Sequence, residues 1–481
     1  MTILAVHLCG CGASSPPAKS VKKSSTQPKS KVAKATDSAT QSPRSQESAT
    51  SIEEPESAVP SVVYRPDDQR PRFEDVALRA LGIHRYESKR LRLYTDIDAE
   101  LATSLPAVID AAYDALVAYF GPMPPSRAGE DFQMTGYLIG DERRFREAGL
   151  IPENLPPIEH GRHRRNEFWL REQPFDYYRR HLLIHEATHC FMMSQPENRA
   201  PVWYLEGMAE MFGTHRRQPD GCWQFAVMPT SPEEFAGFGR ITLLRQRTTG
   251  GNSRTLAGVF GYTAEEFLDP EPYAWSWAAC WFLDQHPRYS ARFRELGRNQ
   301  QPRSFAGKIE ALMAEGGRDL DTEWALFLQN LQYGYDLPRA AITFQPGTPW
   351  MDAEPRVAEV VADRGWQSTR IRLEVDQTYR VTAAGQFTLA QQPKPWVSEA
   401  NGISFRYFDG HPLGKLLACV RDDDGPVGGS DDAMLRVVPI GSRGEITSPV
   451  AGTLYLRLND SWSELADNAG KVTVSIATVV K

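Results

Sequence analysis

Apolar and polar positions divide this 481-residue chain into stretches of different period. Residues 12 to about 62 are mostly Ser, Thr, Ala, Pro and Lys, turning acidic from Glu47 to Glu56. They offer almost nothing to bury, which predicts a disordered tether. From 63 to about 345 strand and helix periods mix. Arg90–Thr95 alternates as a short strand. Asp96–Phe120 has a helical period with Pro106 as an expected break. Gln133–Ile139 reads as a strand, Asp141–Gly149 as a charged helix and Asn166–Leu170 as a further strand. After about 175 the pattern is helical: Tyr178–Met193, the run opened by Val202 after Pro201, and Tyr273–Leu283. Composition changes again at Gln345–Pro349. From Trp366 onward short runs of period two recur between Gly- and Asp-rich turns: Ile371–Val375, Tyr379–Val381, Ile403–Tyr407, Leu416–Val420, Thr453–Leu458 and Val472–Ile476. Such spacing predicts an antiparallel β-sandwich. The expected class is α+β: a unit over 63–345 with a small sheet and a helical half, a linker over 346–364, and an all-β sandwich over 365–481.

The chemistry is concentrated in His185-Glu186-Ala187-Thr188-His189. On a helix, His185 and His189 are i and i+4, so both imidazoles leave one face. That spacing lets two neutral nitrogens bind one Zn²⁺, while Glu186, rotated off that axis, reaches a water instead of the metal. The flanks, Leu182-Leu183-Ile184 and Cys190-Phe191-Met192-Met193, are apolar. Polar side chains in the middle of such a helix need partners. A third ligand is required. His at 195 would extend the motif, but Gln195 stands there. Glu206, on the helix that follows the loop after His189, can be aimed back at the histidine pair if the two helices pack antiparallel. Glu210, one turn on, is placed to hold the non-ligating nitrogen of a zinc-bound histidine.

Together, His185-Glu186-x-x-His189 and Trp203-x-x-Glu206-Gly207-x-Ala209-Glu210 resemble the gluzincin metallopeptidases, and within them the peptidase MA-like group of bacterial envelope proteins. The resemblance implies a zincin-like domain hydrolysing peptide bonds, with Glu186 activating a water on zinc held by His185, His189 and Glu206. Such enzymes also need a donor for the oxyanion. Tyr273, at the head of the third helix, is the candidate, with His160, His163, His181 and His215 as rivals. An edge strand of the small sheet would bind a peptide or protein substrate by strand addition.

The C-terminal part resembles the jelly-roll of calcium-dependent galactophilic bacterial lectins, through Trp366, Gly410-His411-Pro412, Leu458-Asn459-Asp460 and Asp467-Asn468-Ala469-Gly470. The likeness implies calcium at Asp460, Asp467 and Asn468, and a surface for a glycan or cell-wall polymer. Leu413-Gly414 stands where the lectins carry a polar pair that reads the sugar.

Net charge is −7 with both signs interspersed, and no basic stripe suggests nucleic acid. No apolar run reaches the roughly 18 residues of a membrane span. The segment Met1–Cys11 is apolar and ends in Leu8-Cys9-Gly10-Cys11, which resembles a lipobox with Cys11 as the lipidated residue. It is short and lacks a basic leader, so either the start lies upstream or the segment is an ordinary apolar N-terminus. Cys190 and Cys280 read as buried thiols. The expectation is an envelope protein, lipid-anchored or secreted, whose only membrane contact is the lipid. The competing expectation is a catalytically inactive surface-anchored protein that binds glycans or wall polymers.

Overall fold

The computed structural model describes residues 62–67, 72–195, 199–298, 302–350, 354–425, 434 and 436–479. The expectations for Cys11 and for the tether up to residue 61 lie outside them. Residues Val62–Lys481 group into one unit.

The first part runs α1 (Asp75–Ala80), β1 (His84–Glu87), β2 (Leu91–Thr95), α2 (Ala99–Phe120), β3 (Met134–Ile139), α3 (Glu142–Glu147), β4 (Gly161–Arg164) and β5 (Glu167–Arg171). These five strands form one sheet in the order β1-β2-β3-β5-β4. β2, β3 and β5 are parallel, and the outer strands β1 and β4 are antiparallel to their neighbours. β4 is therefore an edge. Pro106 does not break α2, contrary to expectation. A proline inside a helix costs about 3 kcal/mol. Here the helix buries Leu105, Val108, Ile109, Ala112, Leu116 and Phe120 on one face, and that packing outweighs the lost hydrogen bond. Contrary to the expectation that no run is long enough, the same helix is long and apolar enough to cross a membrane, yet those residues belong to the core.

The helical half follows: α4 (Asp176–Ser194), α5 (Val202–Gly213), a small hairpin of β6 (His215–Arg217) and β7 (Trp223–Phe225), α6 (Arg240–Thr249), α7 (Leu256–Phe260), α8 (Pro270–Gln285), α9 (Ser290–Arg298), α10 (Pro302–Asn330) and α11 (Leu337–Ala340). α4 is buried almost all round. Gly207 lets α5 and α8 meet: a Cβ there would lie 2.5 Å from Cys280 Sγ and 2.6 Å from the Ser276 carbonyl oxygen.

The last part contains β8 (Arg356–Val361), β9 (Gln367–Leu373), β10 (Thr378–Ala384), β11 (Phe387–Thr388), β12 (Val397–Ser398), β13 (Tyr407–Phe408), β14 (His411–Pro412), β15 (Leu416–Asp422), β16 (Val438–Pro439), β17 (Arg443–Thr447), β18 (Gly452–Leu458) and β19 (Ala469–Thr478). One sheet has the order β12-β11-β19-β10-β17 with β8 also on β19, and the other β16-β15-β18-β9. Their inner residues, among them Val381, Val474 and Ile476 from the first and Leu373, Ala418 and Leu456 from the second, share one apolar core. The result is a β-sandwich on an α+β chain. Two details differ from expectation. The stretch read as a linker, 346–364, contains β8, paired with β19 from Arg356↔Ile476 to Val361↔Lys471. The alternating run Ile403–Tyr407 is mostly loop. Only Tyr407–Phe408 pairs, with His411–Pro412, across a tight turn where Asp409 and Gly410 both have positive φ. Phe405 and Tyr407 point outward, 70% and 59% exposed.

Besides its own core, the sandwich shares part of the interior of the helical half. Leu331, Tyr335 and Leu337 fall in one apolar cluster with Trp366, Tyr455 and Trp462. Tyr335 stacks on Trp462 at 5.9 Å, and the Arg457 guanidinium lies 3.9 Å from the same indole. The Asp336 amide donates to the Trp462 carbonyl at 2.8 Å, and Arg421 pairs with Asp319 at 2.7 Å. Trp462→Ala is expected to cost about 3–5 kcal/mol in denaturant unfolding followed by a signal from the helical half. A midpoint unchanged from wild type would show that the joint carries no stability.

Candidate metal centre

α4 and α5 bring His185, His189 and Glu206 together. His189 Nε2 lies 3.1 Å from His185 Nε2 and 3.1 Å from Glu206 Oε2, and His185 Nε2 lies 3.3 Å from Glu206 Oε2. Three lone-pair donors at these separations repel unless protons or a cation lie between them. Ligands about 2.0 Å from one tetrahedral ion are spaced about 3.3 Å apart, so the triangle has the size that zinc requires. The donor set of two imidazoles and one carboxylate is of a kind that can hold zinc.

Charge points the same way. Burial opposes ionisation of Glu206, but His189 and His185 overcome it and hold its carboxyl below the usual range. Burial likewise opposes Glu210 and Glu186, yet Arg240 and His181 hold the first down, and His163, His185 and His189 the second. Burial would lower His185, but Glu206, Glu210 and Glu186 raise it to about 9. Two buried carboxylates, Glu186 and Glu210, and the half-buried Glu206 thus face the Arg240 guanidinium and the His185 imidazole. That excess negative charge is what a divalent cation balances.

Glu210 supports the ligands from behind. Its Oε1 faces His185 Nδ1 at 3.5 Å and its Oε2 faces His181 Nε2 at 3.4 Å. Arg240 Nε and Nη2 donate to both oxygens, each at 3.0 Å. Among the described residues, two groups of three His, Cys, Asp or Glu have ligand atoms within 4.8 Å of one another: the triangle above, and His181 with His185 and Glu210. Arg240 occupies both carboxylate oxygens of the second, so it reads as support for the first. Arg240 had no signal in the sequence. It is the first residue of α6, after Gly239 with φ 63°, and only the packing of α6 on α8 brings it here.

Glu186 lies on the other side of the histidines, with Oε2 3.2 Å from His163 Nδ1. The His163 ring stacks on His189 at 4.3 Å. A Cβ on Gly161 would lie 2.2 Å from Glu186 Oε1. Residues 161 and 163 share one face of β4 because strand side chains alternate. His163, named from the sequence only as a rival oxyanion donor, is turned to Glu186; a Gly-x-His on an edge strand was the available signal for that placement.

A cavity of about 300 Å³ opens beside the triangle, lined in part by His160, Arg162, Tyr178, Arg240, Phe267 and Tyr273. Tyr273 is half-buried, its ring 6.3 Å from His185, and burial, then Glu206, push its hydroxyl up. It is kept as a proton donor. Of its rivals, His160 lines the cavity from an exposed position. His181 is fully buried and turned to Glu210. His215 is remote in role: its Nδ1 contacts the Gly213 carbonyl at 2.8 Å, its ring stacks on Tyr177, and burial lowers it to about 3.

Of the residues named for calcium, Asp460 and Asn468 meet. Asn468 Nδ2 donates to Asp460 Oδ2 at 2.8 Å and to the Ala362 carbonyl at 3.1 Å. Asp467 is exposed. That contact ties the turn together, while Asn468 Oδ1 is buried with no hydrogen-bond partner among the described residues. Burial raises the Asp460 carboxyl to about 6. Its folded form therefore favours the proton, and its contribution to stability is full below about pH 4 and lost as pH rises through about 6.

Glu210→Gln is expected to weaken zinc binding about 10–100-fold, read by competition with a chelator, because outer partners of a ligand carry effects of that size. Unchanged affinity would mean that Glu210 only pairs with Arg240.

No family model and no curated protein matches the chain. Among solved structures it is similar to the EclA N-terminal domain, a PllA-like lectin, at 17% identity, covering 26% of this chain and 95% of that one with a TM-score of 0.20. It is also similar to PliG of Aeromonas hydrophila, a periplasmic inhibitor of g-type lysozyme, at 9% identity, covering 29% and 97% with a TM-score of 0.17. At these scores neither likeness bears on the site.

Proposed function

We propose that the chain is a zinc-dependent peptidase of gluzincin type, acting at the cell envelope. The observation that supports this most is the triangle of His185, His189 and Glu206 donor atoms, 3.1–3.3 Å apart, with the Glu186 carboxylate beside it. Zinc held by these three residues supplies a Lewis acid that acidifies water and polarises a carbonyl. The remaining work falls to the chain. Glu186, kept ionised, takes the proton of the attacking water and returns it to the leaving amine. Tyr273, kept protonated, donates to the oxyanion as the carbonyl carbon becomes tetrahedral. Glu210 and Arg240 fix the His185 ring, so the ligands need not reorganise. β4, paired with β5 on one side, is the outer strand of the sheet among the described residues and packs on α4; Gly161 and Arg162 line the cavity, and an extended peptide can add to it as a further strand.

Two expectations follow. Glu186→Gln keeps zinc near one equivalent by metal analysis and abolishes cleavage of labelled casein or of a quenched-peptide library, while His189→Ala loses both. A Glu186→Gln protein as active as wild type would sink the mechanism. Tyr273→Phe lowers kcat about 10²–10³-fold with KM little changed; an unaltered kcat would remove Tyr273 from the reaction.

A further inference from the structure

The edge strand β4 holds a second device, which the motif reading leaves unused. His163 touches both the base and a proposed metal ligand: its Nδ1 is 3.2 Å from Glu186 Oε2, and its ring lies against His189 at 4.3 Å and 25°. Two residues earlier, Gly161 leaves the space that the other carboxylate oxygen fills. Glu186 on α4 has a flexible side chain, and an ionised carboxylate accepts hydrogen bonds without choosing an orientation by itself. On one side Gly161 bounds it, and on the other His163 offers a directed N–H.

We propose that His163 is a positioning residue for Glu186, donating its Nδ1–H to Oε2 so that Oε1 stays turned to the attacking water, with Gly161 providing the room. This rests on the peptidase reading above and deepens it. The strand that receives the substrate also aims the base, so a peptide docking on β4 and the carboxylate that serves it share one rigid support. His163 acts through Glu186; its side chain is 29% exposed and its role does not require it to ligate the metal.

Three variants separate the parts. His163→Ala removes donor and ring. His163→Phe keeps a flat ring against His189 without a donor. His163→Asn keeps an N–H near the Nδ1 position. With quenched peptides that the wild type cleaves, kcat is expected to fall about 10–100-fold for Ala and Phe, with KM and zinc content unchanged and most of the loss restored by Asn. Gly161→Ala should mimic His163→Ala, because its methyl group displaces Oε1. His163→Phe with wild-type kcat overturns the proposal. So does equal loss in Asn, Ala and Phe, which a merely structural role would give. A second readout needs no turnover. In ¹⁵N-histidine spectra of the zinc-loaded protein, His163 should carry its proton on Nδ1 in wild type, and its resonance should shift in Glu186→Ala. A proton on Nε2 alone overturns the proposal. An Nδ1 proton in a protein that cleaves nothing upholds the contact and tells instead against the peptidase reading.

Discussion

Burying negative charge is the constraint around which this chain is arranged. Glu186 and Glu210 are buried and Glu206 half-buried among the apolar helices α4, α5 and α8, where an uncompensated carboxylate costs several kcal/mol. Each is held by specific partners: Glu186 by His163, Glu210 by Arg240 and His181, Glu206 by His185 and His189. Arg240 and a protonated His185 do not balance three carboxylates. The tightly spaced donor triangle is the natural seat of the missing positive charge, so the metal proposed there would serve the fold as well as the chemistry.

Close helix contact makes that arrangement possible. α5 carries Glu206 and Glu210 on one face, and on another it presses Gly207 against Cys280 and Ser276 of α8. The glycine has no special backbone angle to satisfy; it is there because any side chain would push α8 away. α8 in turn carries Tyr273 to the cavity, and α6, packed on α8, delivers Arg240. A change at Gly207 would therefore move the ligand, its support and the proposed oxyanion donor together.

The sandwich is part of this economy and not an appendage. Trp462 and Arg457 close over Tyr335 at the end of the helical half, and Trp366, Tyr455 and Trp462 join the main apolar cluster. The sandwich keeps its own interior between its two sheets as well. Of its exposed aromatic residues, Phe405 lies on the loop that replaced most of an expected strand and Tyr407 opens β13.

By itself the sequence determined what local periodicity and spacing can carry. The i, i+4 histidines, the buried α4, the helix opened after Pro201 with Glu206 and Glu210 on one face, and most strands of the sandwich were all legible, because each depends on residues within a turn or two of one another. It misjudged Pro106, β8 and Ile403–Tyr407. At each of these, burial against a distant partner or a positive-φ turn overrode the local pattern. Only the tertiary structure decided how β4 lies over α4, so that Gly161 and His163 frame Glu186, and how α6 brings Arg240 to Glu210. Those contacts join residues 23 and 30 positions apart. No local pattern records such distances, because they are set by the packing of whole helices and sheets around a common core.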